Sequence, residues 1–133
     1  MELISHDNRL AIADTPLKQE DAIALLVDPN CQKAFPNLMP LGLPEGEYLK
    51  LWQYNDQDSL EMVGAIAILH DETQANNVQL HLLIFAHASH KYIRHFCELC
   101  TIYCQLDNLI PHTIVRNQPE FQYMVNFLHR TVS

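Results

Sequence analysis

The sequence predicts an α/β (α+β) fold, in which helices flank a mixed and mostly antiparallel central sheet, within a single domain over residues 1–133. The first observation behind this prediction is the stretch from Val78 to Leu106, where an apolar run of strand length leads into a segment with apolar residues at helical spacing. The second is the order of segments: strand, helix, three consecutive strands, helix, strand, helix. Three meandering strands followed by a strand–helix–strand crossover give a mixed sheet with helices on its faces.

The N-terminal third predicts one short strand and one helix. Residues 9–13 alternate weakly between polar and apolar and predict the strand. Residues 14–16, Asp-Thr-Pro, are typical of a helix start, because Asp or Thr can cap a helix and proline is tolerated in its first turn. This helix is expected to stop before Asp28. Residues 31–35 predict one further helical turn, and residues 36–46 a loop rich in proline and glycine.

The rest of the chain predicts three strands, a helix, a strand and a last helix, at Glu47–Tyr54, Leu60–His70, Val78–His87, His90–Leu106, Ile110–Arg116 and from Asn117 onward. Gly64 indicates a bulge or a close approach of two backbones within the second of these strands. Ser89 is placed to cap the long helix, because its hydroxyl can accept hydrogen bonds from the exposed N–H groups of the first turn. Tyr48, Trp52 and Tyr54 share one face of their strand, and we expect that face to be core rather than a partner-binding patch.

The charge balance argues against several classes of partner. Eight Lys and Arg face 16 Asp and Glu, a formal net charge of −8, which disfavours binding nucleic acid through its phosphates. No run approaches the roughly 20 apolar residues that cross a bilayer. The first residues lack the basic and apolar regions of a signal peptide. We therefore expect a cytoplasmic protein that binds neither nucleic acid nor membrane.

Three cysteines lie at helical spacing in the long predicted helix, at Cys97, Cys100 and Cys104. With His90 and His95 nearby, one interpretation is a thiolate metal site. The favoured interpretation is a stripe of reduced, buried thiols, since free cysteine packs as a small apolar group and no second Cys pair completes a ligand set. The sequence therefore predicts no metal.

Eight histidines are many for this length. His81 and His87 are predicted on one face of the central strand and His70 at the end of its neighbour. If they meet at a cleft, a neutral imidazole there could act as a general base. The favoured alternative is that these histidines are scattered, hydrogen-bonded or at the surface.

In the order of its elements the chain resembles the GNAT acyltransferase superfamily over nearly its whole length. The segments Tyr48–Asn55, Leu60–His70 and Val78–His87 are similar to that family's central meander. His90–Leu106 is similar to its cofactor helix, and Ile110–Asn117 followed by Pro119–His129 to its closing strand–helix pair. At this length the chain also resembles small tailed-phage head-assembly proteins with a GNAT-like fold, which implies a virion or a bacterial host as its location.

The resemblance implies where acetyl-CoA would bind. In the family, the strand-to-helix junction carries a Gln/Arg-x-x-Gly-x-Gly/Ala loop whose bare amides cradle the cofactor's pyrophosphate. Glycine is needed there because the backbone must approach the phosphates closely. The matching residues 86–94 contain no glycine. If the cofactor binds here, the resemblance implies that Ala88, Ser89, Lys91 and Arg94 hold it.

The resemblance also implies catalytic candidates. The family's general base commonly comes from a Glu or His of the meander, which makes Glu61, His70 and His81 candidates. Its late tyrosine, the general acid, would fall near Met124, and Tyr123 is the adjacent residue, about 100° away on a helix. The family continues with further strands after its last helix, so a C-terminally truncated, GNAT-like fold is expected.

Two functional hypotheses follow. In the first, the chain is a catalytically lapsed GNAT-like domain without a cofactor, acting as a binding or assembly protein that takes a protein partner or a second copy through a sheet edge. In the second, it is a small N-acetyltransferase that uses acetyl-CoA, with Glu61 or His81 as the base. The missing glycines and the short C-terminus favour the first hypothesis.

Overall fold

The computed structural model describes residues 2–5, 9–34, 42–43, 45–54, 57–74, 76–88 and 92–114. Within these ranges, six strands form one sheet in chain order, and three helices accompany it. The strands are β1 (Glu2–Ile4), β2 (Leu10–Ala13), β3 (Glu47–Tyr54), β4 (Leu60–His70), β5 (Asn77–Ile84) and β6 (Ile110–Ile114). The helices are α1 (Gln19–Val27), α2 (Pro29–Ala34) and α3 (Ile93–Leu106). The predicted α+β class is therefore confirmed.

The sheet is antiparallel except for its last pair. Strand β6 runs parallel to β5, with Asn77 opposite Ile110 and Leu80 opposite Ile114. Two parallel neighbours need a long crossover between them, and α3 supplies it. The mixed, mostly antiparallel sheet that the order of elements predicts is thus formed by the β5–α3–β6 unit.

One face of the sheet packs against α3 to form the larger core. Alternate residues of the strands point to this face, because side chains alternate across a strand. The helix contributes a stripe at spacings of three and four that includes the three cysteines, all fully buried. The principal residues are Leu49, Leu51, Ile66, Ile68, Leu80, Leu82, Phe96, Cys97, Cys100, Tyr103 and Cys104.

The opposite face carries a smaller core beneath α1 and α2. Strand β4 presents Ala65 and Ala67 there, with Met62 packed against the edge of the cluster, and the two small side chains let Leu25 of α1 and Cys31 of α2 come close. Both Leu25 and Cys31 are fully buried. Leu83 and Phe85 complete this cluster from the β5 side.

Gly64 lies where three strands are tightly packed. The register between β3 and β4 shifts here, since Leu51 pairs with Gly64 and Trp52 with Met62, leaving Val63 as the extra residue of a bulge. A Cβ at Gly64 would collide with the carbonyl oxygen of Leu83 and lie 3.0 Å from the Cα of Ile84. The predicted bulge and close backbone approach are both confirmed.

The N-terminal elements differ from the prediction. Strand β1 was not expected, because three residues are too few to show a periodic pattern. Helix α1 begins at Gln19 rather than at residues 14–16, and Lys18 at its N-cap makes no side-chain capping bond. The carboxylate of Asp14 instead accepts a hydrogen bond from the distant Tyr103, so a tertiary contact replaces the expected cap.

Boundaries in the second half differ as well. Strand β5 ends at Ile84 rather than His87, since the chain turns at once and the Ala88 amide donates to the Phe85 carbonyl at 3.0 Å. Helix α3 begins at Ile93 with Tyr92 as its N-cap residue, so Ser89 is not at the capping position. Ser89 itself lies outside the described residues, as does everything predicted after residue 114.

The aromatic face of β3 also differs from expectation. Tyr48 packs against the smaller core, but Trp52 is half-buried and Tyr54 is 41% exposed. The expectation that all three lie in the core is therefore wrong for the later part of the strand.

No helix among the described residues is long and apolar enough to cross a membrane.

Candidate functional site at the end of β5

Asp28 controls the junction between β5 and α3. It lies between α1 and α2, and its carboxylate accepts hydrogen bonds from the amides of Asn30 (3.0 Å) and Cys31 (3.1 Å), which caps α2. The same carboxylate accepts from the amide of Ala86, at 3.0 Å through one oxygen and 3.2 Å through the other. A side chain 58 positions away in the sequence thus fixes the first turn after β5.

Neighbouring backbone groups of the junction are also occupied. The side-chain amide of Asn30 donates to the carbonyl of Ile84 at 2.8 Å. The amide of Phe85 donates to the carbonyl of Val63 at 3.0 Å, and that of Ala88 to the carbonyl of Phe85. The amides of Phe85, Ala86 and Ala88 are therefore used within the protein. A ligand that reached this junction would therefore meet the Asp28 carboxylate. The Ala86 amide beside it already donates to that carboxylate.

The predicted cofactor residues are only partly within the described chain. Ala88 is half-buried and packs against both cores. Arg94 is exposed in the first turn of α3. Ser89 and Lys91 lie outside the described residues. Of the four candidates, the structure thus places one apolar packing residue and one surface cation.

The catalytic candidates are not brought together. Glu61 is exposed and pairs with Gln53, on the face that carries α3. His81 pairs with Ala67 on the opposite face, six residues further along β4, which corresponds to about 20 Å. Tyr123 lies outside the described residues.

The three histidines proposed as candidates, His70, His81 and His87, do not share a cleft. His81 is half-buried, with its Nε2 3.5 Å from the Oε1 of Gln79. His87 is exposed and its ring stacks on Phe85 with centroids 5.4 Å apart. His70 is the last residue of β4, and its Nε2 lies 3.7 Å from the Oε1 of Glu47. These three histidines therefore have separate surroundings, as the favoured interpretation expects.

The cysteines behave as core residues. Cys97, Cys100 and Cys104 are fully buried against the sheet, and the hydrogen bond with Cys104 together with burial raises the pKa of Cys100. Burial, with the nearby charge of Asp28, raises the pKa of Cys31. Both thiols are therefore held in the neutral form, which is a poor metal ligand. Among the described residues, no group of three or more His, Cys, Asp or Glu has a metal-binding arrangement.

A second polar cluster, which the sequence did not predict, centres on Tyr103. Its buried hydroxyl lies 3.1 Å from a carboxylate oxygen of Asp14 and 3.4 Å from one of Glu47. Burial, the hydrogen bond to Asp14 and the charge of Glu47 raise the pKa of Tyr103. The polar tip of Tyr103 thus joins α3 to the end of β2 and the start of β3.

Local sequence gave only a weak signal for this cluster. Tyr103 follows the apolar stripe of α3, and a buried tyrosine needs a partner for its hydroxyl. Asp14 and Glu47 belong to other elements, 89 and 56 positions away. The partners therefore become evident only once the sheet is assembled.

Comparison with known proteins gave no matching family model, curated protein or solved structure. The class that the fold defines is an α+β domain with a curled, mostly antiparallel sheet. The GNAT resemblance stays a prediction from the order of its elements.

Removing the Asp28 carboxylate should destabilise the protein. In Asp28→Ala, the amides of Asn30, Cys31 and Ala86 lose their acceptor, so we expect the free energy of unfolding to fall by about 2–3 kcal/mol. Asp28→Asn keeps one side-chain oxygen and should lose about half as much. Urea unfolding measures both.

The matched control is Asp71→Ala, which removes a carboxylate that accepts from Thr73 within an exposed turn. It should cost about 0.5 kcal/mol. Equal losses in Asp28→Ala and Asp71→Ala would contradict the role given to Asp28.

Tyr103→Phe should change how stability depends on pH. The unfolded phenol ionises near pH 10, whereas the folded one keeps its proton to higher pH, so unfolding above about pH 10 releases a proton. The stabilisation from Tyr103 is therefore complete below about pH 10 and is lost as the pH rises towards the folded pKa. Urea unfolding between about pH 8 and pH 11 should show a shallower decline in Tyr103→Phe, which also loses about 1–2 kcal/mol at neutral pH.

Tyr48 provides the internal control, because burial raises its pKa to about 12. It should contribute a decline of the same sign, so the double variant Tyr48→Phe/Tyr103→Phe should be the least sensitive to alkali. If the free energy of unfolding fell as steeply with rising pH in Tyr103→Phe as in the unmodified protein, the fold would not be raising the pKa of Tyr103.

Proposed function

We propose that this chain is a catalytically lapsed GNAT-like domain that acts as a binding or assembly protein. The observation that supports the proposal is the Asp28 carboxylate at the β5–α3 junction. In the GNAT family, this junction offers bare amides to a pyrophosphate. Here the Ala86 amide already has an anionic acceptor, and a phosphate brought to the same place would be repelled by that negative charge. Freeing the amide would forfeit a hydrogen bond to a charged group, about 1.5–3 kcal/mol.

The two alternative bases of the acyltransferase hypothesis lie far apart in the sheet. A general base must lie within hydrogen-bonding reach of the proton that it removes, and catalytic partners must converge on one substrate. Glu61 and His81 lie on opposite faces of the sheet. At most one of the two could therefore act as the base in the acyltransferase alternative.

The edge of the sheet at β1 is the surface that we assign to assembly. The amide of Ser5 donates to the carbonyl of Leu10 on β2. Because backbone groups of alternate residues point in opposite directions along a strand, those of Glu2 and Ile4 point away from β2. Within the described part of the chain, β2 is the one strand that pairs with β1. The Ile4 side chain is 54% exposed at this edge.

A second copy fits this edge geometrically. In an antiparallel pairing centred on Leu3, Glu2 of each copy would face Ile4 of the other. Both residues direct their N–H and C=O groups outward, so the two chains could exchange backbone hydrogen bonds at two places. The charged Glu2 would face an apolar side chain rather than its own copy, which avoids repulsion of like charges.

Titration of acetyl-CoA and of CoA into the purified protein tests the lapsed-enzyme proposal. We expect neither a saturable heat nor a rise in melting temperature, because the junction presents the Asp28 carboxylate. Micromolar binding, about −8 kcal/mol, that is lost in Arg94→Glu would overturn the proposal and support the acyltransferase alternative. Cooperative thermal unfolding of each sample serves as the control for folding.

Ile4→Pro tests assembly through β1. Proline removes the outward N–H of Ile4 but no bond to β2, so the fold should tolerate it at an edge. We expect sedimentation velocity to show concentration-dependent association of the unmodified protein and a monomer for Ile4→Pro. Ile4→Val keeps the donor and a β-branched side chain, and its mass should not change. Equal masses for the unmodified protein and Ile4→Pro at every concentration would contradict pairing at this edge.

A further inference from the structure

A hollow of about 480 Å³ lies over β2, on the face of the sheet opposite α3. Its floor is made by Ala11 and Ala13, which present only methyl groups. The neighbouring strands carry larger side chains on either side, with Ile4 opposite Ala11 on β1 and Trp52 opposite it on β3. The depression, here named the β2 hollow, thus results from small residues on a strand between two strands that carry large ones.

The described helices do not pack into the β2 hollow. Helices α1 and α2 share a core with β4 and β5, further along the same face. The exposed apolar side chains of Ile4, Tyr54 and Leu60 remain along the lining. An apolar, concave surface of this volume falls within the usual range of small-molecule sites, about 300–1,000 Å³.

Lys50 is the unusual residue of the β2 hollow. It lines the hollow and is only 7% exposed, although it carries a charge. Its Nζ lies 5.9 Å from the centroid of the Trp52 ring. Within the described residues, no carboxylate forms an ion pair with it. The aliphatic stem of Lys50 is thus buried against the sheet, while the residue lines the hollow, where its positive charge could pair with an anion.

The rest of the lining indicates what kind of anion would fit. The face of the Trp52 ring lies next to the ammonium group, and Tyr54 and Leu60 extend the apolar wall along β3 and β4. Arg9, opposite Tyr54, adds a second cation at the far end. Glu2 adds one carboxylate at the β1 rim, two strands away from Lys50, or about 10 Å between backbones. An inorganic anion would use Lys50 but leave the apolar wall in contact with water.

We propose that the β2 hollow binds a small organic acid with a flat apolar body. The carboxylate pairs with the Nζ of Lys50, and the body lies against Trp52 between Ile4 and Leu60. The pairing gives Lys50 a charge-assisted hydrogen bond, and the apolar contacts remove the exposed side chains from water. This inference does not depend on the proposed assembly function, because it uses neither the β1 backbone edge nor the β5–α3 junction.

The protein contains one tryptophan, so its fluorescence reports directly on the β2 hollow. Benzoate is the probe, and cyclohexanecarboxylate tests whether a flat ring is needed. We expect a saturable change in Trp52 emission with benzoate, weaker binding of cyclohexanecarboxylate, and no saturable response to inorganic phosphate. Lys50→Met should weaken benzoate binding by about tenfold or more, whereas Lys50→Arg keeps the positive charge and should retain most of it.

Ala11→Leu provides a variant that leaves Lys50 in place. The added side chain fills the floor of the β2 hollow, so benzoate binding should be lost while Trp52 remains as the reporter. This variant keeps the proposal testable if Lys50→Met fails to fold.

Three results would overturn the proposal. One is the absence of any saturable change with either carboxylate in the unmodified protein. Another is unchanged benzoate affinity in both Lys50→Met and Ala11→Leu. The third is phosphate binding as tight as that of benzoate, which would leave a simple anion site without a role for the apolar wall.

Discussion

The carboxylate of Asp28 is the interaction on which the arrangement of the smaller core depends. Three backbone amides converge on it, two from the adjacent first turn of α2 and one from Ala86, 58 positions away. By capping α2 and holding the turn after β5, it helps to set the position in which Leu25 and Cys31 meet the alanines of β4. The same group gives the β5–α3 junction its negative charge. The Asp28 carboxylate therefore affects both how the helices pack here and which charge the junction presents.

Small residues on two strands have opposite consequences in this sheet. Ala65 and Ala67 on β4 allow helices to approach, and a core forms above them. Ala11 and Ala13 on β2 lie on the same face but below the β2 hollow. The two pairs of alanines differ because the Asp28 carboxylate holds α2 against the end of β5 and not above β2. A short side chain thus creates space, and the long-range contacts decide whether a helix fills it.

The sequence predicted best those features that depend on short-range pattern. Strands β3 and β4 match their expected bounds, and the stripe of α3 packs as its spacing indicates, because alternation and helical period are local properties. Gly64 was identified because a missing side chain inside a strand has few explanations. Strand β1 was missed because three residues show no period and gain their structure from pairing with β2. Asp14 was misread as a cap because its partner, Tyr103, is 89 positions away.

The candidate sites were also hard to predict where they depend on contacts between residues that are far apart in the sequence. Residues at the β5–α3 junction could be located from the order of elements, but Asp28 could not be assigned to it, because nothing near Ala86 in the sequence indicates a contact across 58 positions. Lys50 likewise looked like an ordinary alternating residue of β3. Its significance comes from its place beside Trp52 on the lining of the β2 hollow, where no carboxylate of the described residues forms an ion pair with it. In an acidic protein, this places the cations Arg9 and Lys50 at the β2 hollow, with Glu2 at its rim, and the Asp28 carboxylate at the junction. Recognition of an anion is therefore better supported at the β2 hollow than where the resemblance would have put a cofactor.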